Sequence, residues 1–224
     1  NMLDKNKTDY ELGIKVHKEL MNNGVETPLE ISASLDTDSK KKVIEESVHN
    51  IMTSLGLDMD DDSLSDTPKR IARMYVDEIF WGLDYHNFPK ITTIQNKMHY
   101  SSMLLERHIK VHSTCEHHFI PMMGEAFIAY IPNNTVIGLS KINRIVEFFC
   151  RRPQVQERLC EQIYYALSYI LDTDNVAVLI KAEHTCVKLR GIEDINSDTV
   201  TCRLGGDFFE GELKQEFYQM IAIG

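Results

Sequence analysis

Long apolar runs are missing from this chain. No stretch of about 18 consecutive apolar residues occurs, so no membrane-spanning helix is expected. Excess positive charge is missing too. Lys and Arg number 24 against 34 Asp and Glu, and the formal net charge is −10. That argues against nucleic acid and against a membrane surface as partners, since both select basic patches. It leaves room for a phosphorylated small molecule, which a local cluster of Lys and Arg can hold. Cysteine is scarce and odd in number, five in 224 residues. Reduced thiols or metal ligands fit that count better than a disulfide framework. The residues from Asn1 to Lys7 are polar and lack the apolar core of a signal peptide,. A cytoplasmic protein is therefore expected, with the sequons at Asn6 and Asn133 unused. No internal repeat or low-complexity segment is evident.

What is present divides into two parts. With 43% hydrophobic and 26% charged residues, the composition suits one or two soluble domains with an ordinary core. The first part, residues 1–90, reads as helices. Leu12, Val16 and Leu20 recur at helical spacing from Tyr10 to Asn23, with Gly24 as the stop,. Pro28 and the segment from Ser32 to Ser39 read as a linker. A second helix is expected from Asp38 to Leu55, with Val43, Ile44, Val48, Ile51 and Leu55 on one face and Gly56 ending it. The acidic run from Asp58 to Asp62 reads as a solvated loop. A third helix should start at Thr67-Pro68, a capping hydroxyl followed by proline at the first position, and run to Gly82.

The second part, residues 91–224, changes character. Ile109 and Val111 alternate with His108, Lys110 and His112, as in a half-buried strand,. Further strands are expected over 126–131, 176–183 and 200–204. Helices are expected over 140–150, 154–171 and 211–221, with a break at Pro153. This order predicts an α+β fold with an antiparallel sheet, preceded by the helical region.

Three short segments carry the chemistry. Cys115-Glu116-His117-His118 and Glu183-His184-Thr185-Cys186 gather two thiols and three imidazoles. Zinc takes Cys sulfur and His nitrogen in tetrahedral geometry, and a catalytic zinc keeps one position open. Cys115 and His118 are three residues apart, so one turn can aim both at one point. Cys186 could complete the set, and as alternate strand residues His184 and Cys186 would share a face. That leaves His117 and His184 for proton transfer. Buried thiols, a disulfide and satisfied core histidines are the plain alternatives, and the second cluster weighs against them. The third segment runs from Arg151 to Arg158. Within it Glu157, at a helix start, serves either as dipole compensation or as the carboxylate that reads the N1–H and 2-amino edge of guanine. Ser140, Lys141 and Arg144 open a helix whose free N–H groups favour an anion. Arg70, Arg73 and Arg190 are further cations for a phosphate.

Together with Tyr130-Ile131-Pro132, the run Val136 to Lys141 and Arg190-Gly191, these segments resemble GTP cyclohydrolase I of the zinc-dependent, bacterial-like type. The likeness runs from about Asp61 onward, and the N-terminal helices fit it too. The resemblance implies a tunnelling fold, an antiparallel sheet with two helices on one face. It implies a homo-oligomer, a decamer of two pentamers. It implies conversion of GTP to 7,8-dihydroneopterin triphosphate and formate, the first step of folate or pterin biosynthesis. Carried over, Cys115, His118 and Cys186 match the zinc ligands and His117 and His184 the catalytic histidines. Gln156 and Glu157 match the guanine contacts. Ser140, Lys141, Arg144, Arg190 and Arg70 match the phosphate side, with Arg73 where Lys is usual. Water activated at zinc would attack guanine C8.

Three other readings stand beside this one. A 6-pyruvoyl-tetrahydropterin synthase would bind zinc through three histidines, which the Cys115/Cys186 pair disfavours. A nitrile reductase of the same fold would use a Cys nucleophile and NADPH. A zinc-stabilised scaffold without catalysis would bind GTP and release nothing.

Overall fold

The computed structural model describes residues 3–30 and 35–223. Helix α1 spans Tyr10–Asn22, capped by Asp9, whose carboxylate accepts from the Leu12 N–H. Its inner face, Gly13, Val16 and Leu20, is buried, and Gly24 at φ +69° turns the chain out of the helix. Helix α2 covers Thr37–Ser54 behind an Asp36 cap. The expected linker therefore ends by residue 36, and its Ser32–Ser34 portion lies outside the described residues. Only Val48 and Met52 of α2 are buried. Val43, Ile51 and Leu55 of the expected inner face are exposed. Among the described residues nothing covers these three positions, and the buried stripe of the helix runs through Val48 and Met52 instead.

Helix α3, Thr67–Arg73, starts one residue earlier than its proline suggests. Asp66 is the cap, and no side-chain hydrogen bond closes it. Thr67 is thus the first helical residue rather than the cap. The expected run to Gly82 is also broken. The winding loosens to a π-helix over Met74–Ile79 and tightens to a 3₁₀ turn at Trp81–Leu83. Gly82 then meets the end of a later helix, where an added Cβ would lie 2.1 Å from the Phe148 carbonyl oxygen.

The remaining elements are β1 (Thr93–Gln95), β2 (Leu104–Cys115), β3 (Pro121–Tyr130), β4 (Thr135–Ile137), α4 (Leu139–Cys150), β5 (Pro153–Gln154), α5 (Gln156–Leu171), β6 (Val176–His184), α6 (Thr185–Lys188), β7 (Thr199–Leu204) and α7 (Glu212–Ala222). The main sheet has the order β5-β2-β3-β6-β7, antiparallel except for the short β2–β5 pair. Strands β1 and β4 form a separate two-stranded ribbon. These two and β5 were not expected from the sequence, and each is only two or three residues long. The α+β class with an antiparallel sheet is as expected.

Alternation along the central strands sorts the core into two faces. Ala126, Ile128 and Tyr130 of β3 join Val176, Val178 and Ile180 of β6 in the larger cluster, with α1, α4 and α5. Phe127 and Ala129 join Ala177 and Leu179 on the other face, where Phe217 of α7 packs. A second set of contacts pins the segment that follows α1 to the body. Arg152, fully buried, pairs with Glu26 at 2.8 Å and donates to the Gly82 carbonyl at 2.7 Å. Its guanidinium lies 4.7–5.0 Å from the centroids of the Tyr85, Phe148 and Phe149 rings, close enough for cation–π attraction.

Both long edges of the sheet lack partners among the described residues. Strand β5 covers only Thr114 and Cys115 of β2, and β7 pairs on one side alone. No helix of the described residues is long and apolar enough to cross a membrane.

Candidate active site

The register of β3 brings the two Cys/His segments together. Met122 faces Ser113 of β2 on one side and His184 of β6 on the other. Because both pairings are antiparallel, the ends of β2 and β6 arrive at the same end of the sheet. The β2–β3 turn adds Cys115 to Phe119 there, held by Cys115 N–H to the Ile120 carbonyl and Phe119 N–H to the Cys115 carbonyl, both at 2.9 Å. Phe119 takes φ +54° in that turn, an uncommon conformation for a bulky side chain.

Cys186 reaches the same point by a different route from the one expected. Strand β6 stops at His184, and Cys186 lies on the short helix α6. The two residues therefore do not share a strand face. The helical turn instead swings Cys186 toward Cys115, and Thr185 ties it down by donating to the Pro121 carbonyl at 2.5 Å. One ligand atom each of Cys115, His118 and Cys186 lies within 4.8 Å of the others. A tetrahedron with zinc bonds has edges of about 3.3–3.8 Å, so small side-chain movements close this set on an ion. Burial and the neighbouring Cys115 push the Cys186 thiol above its ordinary value. Two thiols crowded this way are stabilised as thiolates by a divalent cation.

The two remaining histidines differ. His117 is exposed, with Nδ1 3.9 Å from the Cys115 sulfur. His184 is half-buried, and its Nε2 lies 2.8 Å from the Gln156 Oε1. Burial lowers the His184 pKa, and the nearby Glu157 carboxylate works against that. Glu157 itself is exposed at the start of α5, whereas Gln156 is buried. Arg190 is exposed, and its Nη1 lies 2.8 Å from the His118 Nε2.

A clamp not foreseen from the sequence supports the cysteine turn. Arg158 of α5 forms an ion pair with Glu116 and also donates to the Pro153 carbonyl and the Gln154 Oε1. Glu116 N–H in turn donates to the Gln154 carbonyl at 3.0 Å. The only available signal was that both residues sit inside the chemically loaded segments.

The other phosphate candidates lie elsewhere. Ser140 and Arg144 line a cavity of about 390 Å³ beside Lys7 and Asn87, and Lys141 is half-buried on the same helix. That helix begins at Leu139 behind Gly138, so Ser140 is inside it rather than its cap. Arg70 and Arg73 line a third region, a cleft of about 620 Å³ between α2 and α3 that also holds Lys41, Lys42 and Lys69. Neither cavity is lined by any of the metal-cluster residues.

Comparison with known proteins gives one consistent answer. The GTP cyclohydrolase I family profile matches residues 44–222. The chain is 56% identical over 207 residues to GTP cyclohydrolase 1 of Yersinia enterocolitica, covering 92% of this chain and 94% of that protein. It is 53% identical over 208 residues to GTP cyclohydrolase 1 of Pasteurella multocida, covering 92% and 95%. Among solved structures, the apo form of the archaeosine synthase QueF-Like aligns at a TM-score of 0.38 with 17% identity, covering 48% of this chain and 94% of that one. That overlap is too loose to argue from.

Proposed function

The chain belongs to the GTP cyclohydrolase I family, hydrolases acting on cyclic amidine C–N bonds, and from that premise we propose that it opens GTP at a zinc ion held by Cys115, His118 and Cys186. The products are 7,8-dihydroneopterin triphosphate and formate, placing the reaction at the start of folate or pterin biosynthesis. The observation that carries this reading is the convergence of two thiols and one imidazole within 4.8 Å, with two further histidines beside them.

Zinc bound there supplies a Lewis acid and a polarised water at neutral pH. The chain's own residues do the rest. Glu157 accepts from N1–H and the 2-amino group of guanine and so sets which ring edge faces the metal. His117 and His184 exchange protons as the imidazole ring of guanine opens and the ribose rearranges. Arg190, Ser140, Lys141, Arg144, Arg70 and Arg73 bind the triphosphate. Anchoring phosphates far from the reacting atoms lets their binding energy position C8.

The cationic residues fall in three separate regions of one chain, which supports a site assembled from neighbouring subunits. Two unpaired sheet edges support the same reading, since open edges invite pairing with another copy. On this account the fold is a tunnelling fold closing into a decamer of two pentamers, in the cytoplasm. Residues 1–90 form a helical region that carries Arg70 and Arg73 to a neighbour, and 91–224 form the catalytic domain.

Metal content and turnover test the assignment together. Cys115→Ala, His118→Ala and Cys186→Ala should each lose both zinc and formate release. His117→Ala and His184→Ala should keep zinc and lose turnover by roughly 10²–10⁴-fold, the usual worth of an acid–base group. Full zinc content in Cys186→Ala would reject the site.

A further inference from the structure

The family resemblance assigns Gln156 to the guanine edge, yet its side chain has no group to spare. The residue is 1% exposed. Its Nε2 donates to the Ile180 carbonyl at 3.0 Å and the Thr199 carbonyl at 2.9 Å, with Thr201 Oγ1 at 3.2 Å. Its Oε1 faces His184 Nε2 at 2.8 Å. Which end of an amide is oxygen is decided by its surroundings. A reversed amide here would aim its oxygen at two main-chain carbonyls, which only accept, and would forfeit both bonds. The backbones of β6 and β7 therefore fix the orientation.

A carbonyl oxygen can only accept, so His184 must donate through Nε2. A neutral imidazole with its hydrogen on Nε2 carries its lone pair on Nδ1. We propose that Gln156 is a positioning residue that holds His184 in the Nε2–H tautomer, leaving Nδ1 as the atom that exchanges a proton with the substrate. This rests on the reading of His184 as a proton-transfer group. The arrangement uses the logic by which a buried acceptor behind a catalytic imidazole selects its tautomer. Here the acceptor is a neutral amide, itself locked by two strands. Reading of the base then falls to Glu157, the exposed neighbour one residue on.

The tautomer can be read directly in the metal-loaded enzyme. With ¹⁵N-labelled histidine, and His184 assigned by difference from His184→Gln, the nitrogen shifts should show hydrogen on Nε2 and none on Nδ1. Hydrogen on Nδ1 would overturn the proposal. Kinetics give the second readout. Gln156→Met should keep zinc, the KM for GTP within about twofold and the GTP-over-ITP preference, while kcat falls by up to the 10²–10⁴-fold of the acid–base group itself. Gln156→Glu keeps an oxygen that accepts from His184 and should recover part of kcat. A raised KM with kcat held, or a changed GTP-over-ITP preference, would make Gln156 a base contact and sink the proposal. That preference should instead move in Glu157→Ala. Normal turnover in His184→Gln would remove the underlying assignment of His184, and the nitrogen shifts would still report the tautomer.

Discussion

Arg190 Nη1 and His118 Nε2 lie 2.8 Å apart. An arginine only donates, so this nitrogen of His118 carries a lone pair. A metal bound through Nε2 takes that lone pair. A metal bound through Nδ1 places a hydrogen on Nε2, facing another donor. Either way, a metal held there would displace Arg190 from His118 and would leave it free for an anion.

The expected consequence is that Arg190→Met binds zinc more tightly in the absence of GTP. Both groups are exposed, so solvent weakens the contact and the gain should be under about tenfold. Competition with a chromophoric chelator measures it. A clear loss of zinc affinity would mean that Arg190 supports the ligands rather than competing with the ion.

Thiol reactivity should follow the same geometry. Burial pushes the Cys150 thiol up to about 12 and the Cys160 thiol higher still, so neither should react with iodoacetamide at pH 8. Cys202 is exposed, and although partial burial of its sulfur also raises its pKa, it should react in every state, more slowly than a free thiol. Cys115 and Cys186 should be protected only while metal is bound, and chelation should add two labelled sites by mass spectrometry. The two buried thiols also set a pH limit. They stay protonated when folded but ionise near the ordinary thiol value of 9.0 when unfolded. The unfolded state therefore loses protons first, and stability should fall as pH rises from about 9 toward 12. Flat urea midpoints across that range would contradict this.

The buried Arg152–Glu26 pair should matter for stability. Removing one partner strands the other charge out of water, which typically costs about 3–5 kcal/mol. Arg152→Ala also loses the three ring contacts, so it should lie at the upper end. Urea unfolding measures both this variant and Glu26→Ala, and a loss below about 1 kcal/mol in Arg152→Ala would show that the pair is replaced by water.

A site shared between subunits makes a sharper demand. Cys186→Ala and the double variant Arg70→Ala/Arg73→Ala should each be inactive alone. Mixed and reassembled, they should regain part of the activity, because some sites then draw intact residues from both chains. No recovery in verified mixed oligomers would place the whole site within one chain.

Much of the site was legible because its chemistry is local. Cys115 and His118 sit on one turn, and two Cys/His segments are rare enough to point at each other. The path of Cys186 was misread, since a strand pattern does not say where the strand stops and α6 takes over. The partners of Glu116 and Glu26 were not legible at all. Arg158 is 42 residues from the first and Arg152 is 126 from the second, and only the fold closes such distances. The helical part shows the same limit. Val43, Ile51 and Leu55 were read as part of the inner face of α2, yet all three are exposed and the buried positions are Val48 and Met52, because periodicity carries no information about what lies against a helix. The π-helix after Arg73 kept a helical pattern while changing its winding, so hydrophobic spacing could not register it.

The central claim is that GTP is opened at the Cys115–His118–Cys186 metal site, and formate release tests it most directly. Zinc-loaded protein should yield one formate per GTP consumed, with a fluorescent pterin after oxidation. Chelation should stop both, and added zinc should restore both. Formate released by thoroughly chelated protein, or GTP consumed without formate, would contradict the account.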